Sequence, residues 1–226
     1  GQTNALPNPR ERLRRLKDNG ELWVVDPRRT ATAAMATRHL SPRPGTDHVW
    51  LAAVVREALG WTDDEELSTR AHGIAALRAA VADITLERAA AECDLPLTDL
   101  TELVGAIRRH GRFAGLTGTG VTMSRYGHLA HWLLTALLVV TDSADVPGGT
   151  VFNPGFIRGS DRLPWRTAPF QPGTGPTSRP DLPRQFGEQP AGALAREMTT
   201  GGVRALLVVG GNPANCLPGA EHAHEA

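Results

Sequence analysis

Leu22-Trp23-Val24-Val25-Asp26-Pro27-Arg28-Arg29-Thr30 is an apolar run that stops at a carboxylate and then turns sharply at a proline. The run reads as a short buried strand, and Pro27 closes it because proline cannot donate to a ladder. Pro44-Gly45-Thr46-Asp47 follows, at the mouth of a helix expected from His48 to Leu59, with Val49, Ala52, Ala53 and Leu59 on a helical period. Asp47 is well placed to cap that helix. In open α/β sheets, ligands bind outside the carboxyl ends of strands, where such loops converge. A carboxylate there can accept two hydrogen bonds, from ribose hydroxyls or from the N–H edge of a guanine. Two such loops on one side of one sheet imply a nucleotide cradle.

Further stretches extend the pattern: Leu116-Thr117-Gly118-Thr119-Gly120-Val121-Thr122-Met123-Ser124, Asp145-Val146-Pro147-Gly148-Gly149, and Val208-Val209-Gly210-Gly211-Asn212-Pro213. In this order, across nearly the whole chain, the five stretches resemble the molybdopterin oxidoreductases of the dimethyl-sulfoxide-reductase type. That resemblance implies a bis-(molybdopterin guanine dinucleotide) cofactor carrying molybdenum or tungsten. It also implies a small-molecule substrate and an electron-transfer subunit as partners. The position of Asp47 in that family takes the guanine of one cofactor half. Gly45 would let the backbone approach the ring, and Thr46 stands between them. Asp26, Pro27, Arg28 and Thr30 are implied at ribose and phosphate, with an internal Asp26–Arg28 pair and a Thr30 cap as the plain structural alternatives. Thr119, Gly120 and Met123 match pterin-contact positions by order. Asn212 offers amide donors and acceptors to pterin or phosphate, or closes its own turn. Gly1 and Asn4 begin a loop weakly similar to the one around Asn212, which suggests two related halves and a strand running into Gly1.

The resemblance also implies what this stretch lacks. The metal-ligating side chain belongs upstream, as does the iron–sulfur cluster found in many relatives, so no catalytic or metal-ligating residue is assigned here. Asp142 stands where relatives usually carry a glycine. Gly118-Thr119-Gly120 is no dinucleotide fingerprint, because Met123 stands where GxGxxG needs its third glycine. An ordinary nicotinamide-dependent dehydrogenase is therefore disfavoured. A non-catalytic remnant or assembly module that keeps the fold is the remaining alternative.

Composition agrees with a folded chain and little else. The 226 residues carry a formal net charge of zero with both signs interspersed, which gives no footprint for nucleic acid. Cys93 and Cys216 lie far apart in no CxxC pattern, against a disulfide framework or a structural zinc. His128 and His131 have helical spacing but no carboxylate or thiolate companion nearby. The longest apolar stretch, Leu129 to Val140, is too short for direct membrane insertion. No basic stretch leads into an apolar run at the start. The location of the parent protein stays open, with the cytoplasm favoured over the periplasm.

The remaining expectations concern elements. Helices are expected over Pro9–Asn19 with Gly20 as stop, Asp63–Val81, Leu86–Cys93 capped by Thr85, Leu97–His110 with Thr98 as cap, Leu129–Val140 and Ala191–Thr200. An Ala-rich helical turn is expected from Thr30 to His39, and strands over Phe113–Leu116 and Val203–Val209. Seven prolines between Arg158 and Pro190 forbid a long helix or central strand there, leaving a linker or an extended arm. The organisation expected is an α/β region over 1–157, the arm over 158–190 and the start of a second half over 191–226. The fold class expected is a three-layer αβα arrangement around a mostly parallel sheet, with Rossmann-like halves and incomplete at both ends.

Overall fold

The structure, a computed structural model, describes residues 8–151, 173–184 and 188–217. Gly1, Asn4 and the 158–172 part of the expected arm lie outside them. The chain divides into two compact units, Gly1–Phe152 and Asn153–Ala226. The first unit is helix-rich with a small parallel two-stranded sheet, a mixed α/β arrangement.

Helix α1 (Pro9–Asn19) begins on a proline, whose missing N–H is no loss in a first turn, and gives way at Gly20. Strands β1 (Trp23–Val25) and β2 (Arg38–Leu40) then pair in parallel, with Trp23 opposite Arg38, Val24 opposite His39 and Val25 opposite Leu40. Parallel strands need a connection of about a dozen residues. Here it holds a single 3-10 turn, Ala33–Met35, so the expected helical segment from Thr30 to His39 is one short turn that leads into the start of a strand.

Helix α2 (Asp47–Leu59) buries Trp50 to Val55, Ala58 and Leu59. Nothing polar interrupts that run, so the helix can only sit inside a ring of others. That ring is α3 (Asp64–Ser68), α4 (Ile74–Val81), α5 (Leu86–Cys93), α6 (Leu97–His110) and α8 (Gly127–Val140), with the short α7 (Thr119–Thr122) leading into α8. The helix expected over 63–81 is broken in two. Gly73 adopts φ +81°, a left-handed conformation that a continuous helix excludes and that suits glycine. Asp63 caps α3 by accepting from the Glu65 and Glu66 amides, and Thr85 caps α5 by accepting from the Arg88 amide at 3.2 Å. Pro96, not Thr98, stands at the N-cap of α6. Helix α8 buries Ala130, Leu133, Leu137, Leu138 and Val140, whereas Leu129 and Trp132 on its other side are exposed, so a helix apolar nearly all round is buried on one side only.

Phe113–Leu116 forms no strand, and neither does Val203–Val209 in the second unit. A ladder is a non-local structure and needs a partner edge, however strong the local propensity. The second segment is solvated rather than buried, with Leu207 87% and Val209 85% exposed. Within the second unit, α9 (Leu194–Thr199) follows a 3-10 turn, Ala191–Ala193, and ends before Gly201 at φ +81°. Its buried Glu197 accepts the Ser178 amide at 2.6 Å, and its carbonyl accepts the Val203 amide at 3.0 Å. The Ser178 side chain and amide facing it hold the Glu197 carboxyl below the usual range. The described part of the proline-rich stretch is therefore a bonded turn against α9. Helix α10 (Pro213–Cys216) follows.

Leu100 in α6 is fully buried. Leu100→Ala should cost about 2–5 kcal/mol, whereas Leu97→Ala, on the half-exposed side of the same helix, should cost well under that. Urea midpoints of the two variants check this, and equal shifts would contradict the packing.

Candidate functional site

The two acidic loops meet at the carboxyl ends of β1 and β2. Asp26 extends the pairing by one bond, its amide donating to the Leu40 carbonyl at 3.0 Å. Its carbonyl accepts from His39 Nε2 at 2.8 Å, which places the His39 proton on that nitrogen. Ser41 Oγ donates to the Pro27 carbonyl at 2.8 Å, lacing the first loop to the second. Asp26 Oδ1 accepts the Arg28 amide at 2.9 Å, an Asx turn. The Asp26–Arg28 ion pair is not formed, and among the described residues the Arg28 guanidinium and Asp26 Oδ2 have no partner. Thr30 Oγ1 accepts the Ala33 amide at 3.3 Å at the entry of the 3-10 turn, whose N-cap position is Thr32.

The second loop is anchored from α5. The Arg43 amide donates to the Cys93 carbonyl at 2.8 Å, its guanidinium donates to the Glu92 carbonyl, and it lies 3.7 Å from the Asp94 carboxylate. Thr46 Oγ1 donates back to the Arg43 carbonyl at 2.7 Å. Gly45 adopts φ +84° with no atom near the place of a Cβ, so its backbone angle requires glycine while the space beside it is open. Asp47 is the first residue of α2 rather than its cap. Thr46 occupies the N-cap position without a side-chain capping bond, its hydroxyl being spent on Arg43. Asp47 Oδ1 accepts from Trp50 Nε1 at 3.4 Å, and Oδ2 is free among the described residues.

The third motif joins through aromatic contact. His48 and Tyr126 lie with ring centroids 4.5 Å apart, tying the start of α2 to the turn that carries Thr119, Gly120 and Met123. Those three are exposed, Met123 at 84%. Gly127 fastens this turn, because a Cβ there would strike the Val121 and Thr122 carbonyl oxygens. Asn212 belongs to the second unit, where its side chain accepts the Ala214 amide at 3.1 Å and caps α10. Its turn-closing role is thus the observed one.

Residue-by-residue reading missed Ser41, Arg43, His48 and Tyr126. Two prolines flanking Arg43, and the single tyrosine of the chain, were the available signals. A cleft of about 340 Å³ opens beside the same strands, lined by Trp23, Arg29, Arg38, His39, Asp99 and Glu102 among others. It is crossed by an Arg38–Glu102 ion pair at 2.9 Å. No group of three or more His, Cys, Asp or Glu side chains is gathered for a metal among the described residues, and His131 Nδ1 instead bonds Thr117 Oγ1 at 2.8 Å. Burial pushes the Cys93 thiol up, away from nucleophilic use. No helix of the described residues is long and apolar enough to cross a membrane.

Behind the third motif, Asp142 adopts φ +53° after α8. Its amide bonds the Val139 carbonyl at 3.2 Å and the Ser143 amide bonds that of Leu138 at 2.7 Å, the pairing of a Schellman motif. The left-handed residue of that motif is usually glycine. Here a carboxylate meets Arg112 at 2.8 Å and Arg70 at 3.3 Å, and the two guanidinium groups hold its carboxyl below the usual aspartate range.

The chain matches no family model. It is 29% identical over 144 residues to "Probable oxidoreductase YyaE" of Bacillus subtilis (strain 168), covering 61% of this chain and 21% of that protein. It is 23% identical over 223 residues to "Putative formate dehydrogenase YrhE" of the same organism, covering 91% of this chain and 22% of the relative. The chain therefore spans about a fifth of the length of these curated relatives. Acetylene hydratase from Pelobacter acetylenicus shares its fold over 57% of this chain and 18% of that one, with a TM-score of 0.53 and 22% identity. These similarities support a distant relation to enzymes of a general oxidoreductase type.

The two loop glycines separate backbone need from open space. Gly45→Ala should cost about 1–2 kcal/mol, the penalty of a left-handed L-residue. Gly118→Ala, at φ −101° with nothing near its Cβ, should stay within about 0.5 kcal/mol. Thermal melts of both variants check the difference.

Proposed function

We propose that this chain is the central cofactor-binding portion of a molybdopterin-dependent oxidoreductase, where it holds the guanine dinucleotide part of a molybdenum or tungsten cofactor. The observation that carries this reading is the juxtaposition of two acidic loops at the carboxyl ends of two paired parallel strands. The donor set suits the group. Asp47 keeps one carboxylate oxygen free and Gly45 leaves open space beside it, as a guanine edge requires. Asp26 keeps one oxygen and Arg28 a whole guanidinium, a hydroxyl acceptor and a planar phosphate donor. Thr119, Gly120 and Met123 offer an exposed surface to the pterin.

When bound, the cofactor would supply oxygen-atom or hydride-equivalent transfer at the substrate, with electrons exchanged with an electron-transfer partner. The residues of this chain bind and orient; none makes or breaks bonds. In the parent protein the parallel pair extends into a three-layer αβα sheet with Rossmann-like halves. The metal ligand, and an iron–sulfur cluster in versions that carry one, lie outside this stretch.

Asp47→Ala in the parent protein tests the reading. Removal of an acid from the first turn of α2 should cost about 0.3–1 kcal/mol of stability. Loss of a charge-assisted hydrogen bond from guanine to the free oxygen, about 1.5–3 kcal/mol, should lower cofactor occupancy several-fold. Metal and pterin per protein are measured beside the melting temperature. Full occupancy would sink the assignment and favour a module that retains the fold without the cofactor.

A further inference from the structure

The segment from Arg112 to Thr117 belongs to no helix or strand and makes no backbone–backbone hydrogen bond among the described residues, and side chains take the place of a ladder. Ser143 Oγ, fully buried, accepts the Phe113 amide at 3.2 Å. Thr150 Oγ1 accepts the Gly115 amide at 2.9 Å and donates to the Gly115 carbonyl at 3.3 Å. Thr150 is itself placed by its amide bond to the Ser143 carbonyl at 2.8 Å. Gly149 stands between them because a Cβ would strike that carbonyl oxygen. Further along, His131 meets Thr117. Bonds fall on residues 113 and 115, two apart, which is the spacing of one strand edge. The segment then runs directly into Gly118 and α7.

Asp142 sits at the root of this arrangement. It is the residue before Ser143, its carboxylate holds Arg112 at the entry of the segment, and it holds Arg70 on the turn after α3. Those two arginines, and Glu66, which shares Arg70 at 3.3 Å, are the charged groups that meet it. Helix capping does not call for the carboxylate, since the Schellman bonds are backbone bonds and glycine is the usual occupant. The carboxylate therefore has a separate task. We infer that Asp142 is a positioning residue: by clamping Arg112 it sets the side-chain-bonded segment that presents the Thr119–Met123 turn.

That this turn faces a cofactor rests on the function proposed above. The test is amide hydrogen exchange without cofactor, so the clamp can fail while the cofactor reading stands, and the reverse. In the whole chain, Asp142→Gly keeps the left-handed cap and removes the carboxylate. Asp142→Asn keeps an acceptor and removes the charge. Both variants should speed exchange at Phe113, Gly115 and the 119–123 amides by about fivefold, as expected for losing partly exposed ion pairs. Val54 and Val55 in α2 should exchange as before. A carboxyl held below its usual range gives protection that is present at neutral pH and lost as pH falls through the lowered value. Protection at Gly115 in the native chain should follow that profile, and the glycine variant should be flat. Unchanged exchange over 113–123 in Asp142→Gly overturns the inference. So does an equal loss at Val54 and Val55, which would mean general destabilisation, or a loss confined to 113–117 that never reaches the turn.

Discussion

Burial of α2 on every side is the constraint on which the first unit depends. A helix that buries six consecutive residues, Trp50 to Val55, around its whole circumference cannot rest on a surface, so other helices must enclose it. At about 25 cal/mol per Å² of apolar area removed from water, its Trp, Leu and Val side chains supply roughly 1.5–3 kcal/mol each. Once α2 is enclosed, its first turn has one place to be, at the end of β2. The loop carrying Gly45 to Asp47 is consequently fixed from both sides, by the strand pair and by the Arg43 bonds to the end of α5.

Local signals carried the helices well and the strands poorly. Pro9 and Gly20 mark α1, and Thr85 caps α5, because capping chemistry is contained in a few consecutive residues. Strand β2 left no such signal: Arg38-His39-Leu40 has one apolar residue and exists through its pairing with β1. Phe113–Leu116 and Val203–Val209 have the composition of strands and do not form them, since composition cannot supply the opposite edge. The first of these finds hydroxyls instead. The reach of Ser143 and Thr150 across thirty and thirty-five positions left no signal in the sequence.

The site was legible at the level of loops and less so at the level of atoms. Sequence places carboxylates at the ends of strands, and the structure puts the two loops side by side. A one-residue difference at α2 moves the N-cap from Asp47 to Thr46, which matters physically. A capping aspartate would have spent its lone pairs on backbone amides. As the first helical residue, Asp47 spends one oxygen on Trp50 and keeps the other.

A polar group already committed to its own loop cannot also recognise a ligand without losing that bond, and unspent groups are what separate a binding loop from a merely well-made turn. Thr30 and Thr46 spend their hydroxyls on local backbone, Asn212 spends its carbonyl oxygen on a cap, and Arg43 is spent on α5. The unspent groups near the two strand ends, among the described residues, include one oxygen of Asp26, one of Asp47 and the guanidinium of Arg28. Two acceptors and a planar cation, held on loops anchored by other residues, match a nucleotide's hydroxyls, base edge and phosphate. On the proposed function, these groups orient a bound cofactor, and the reactive chemistry belongs to the group they hold.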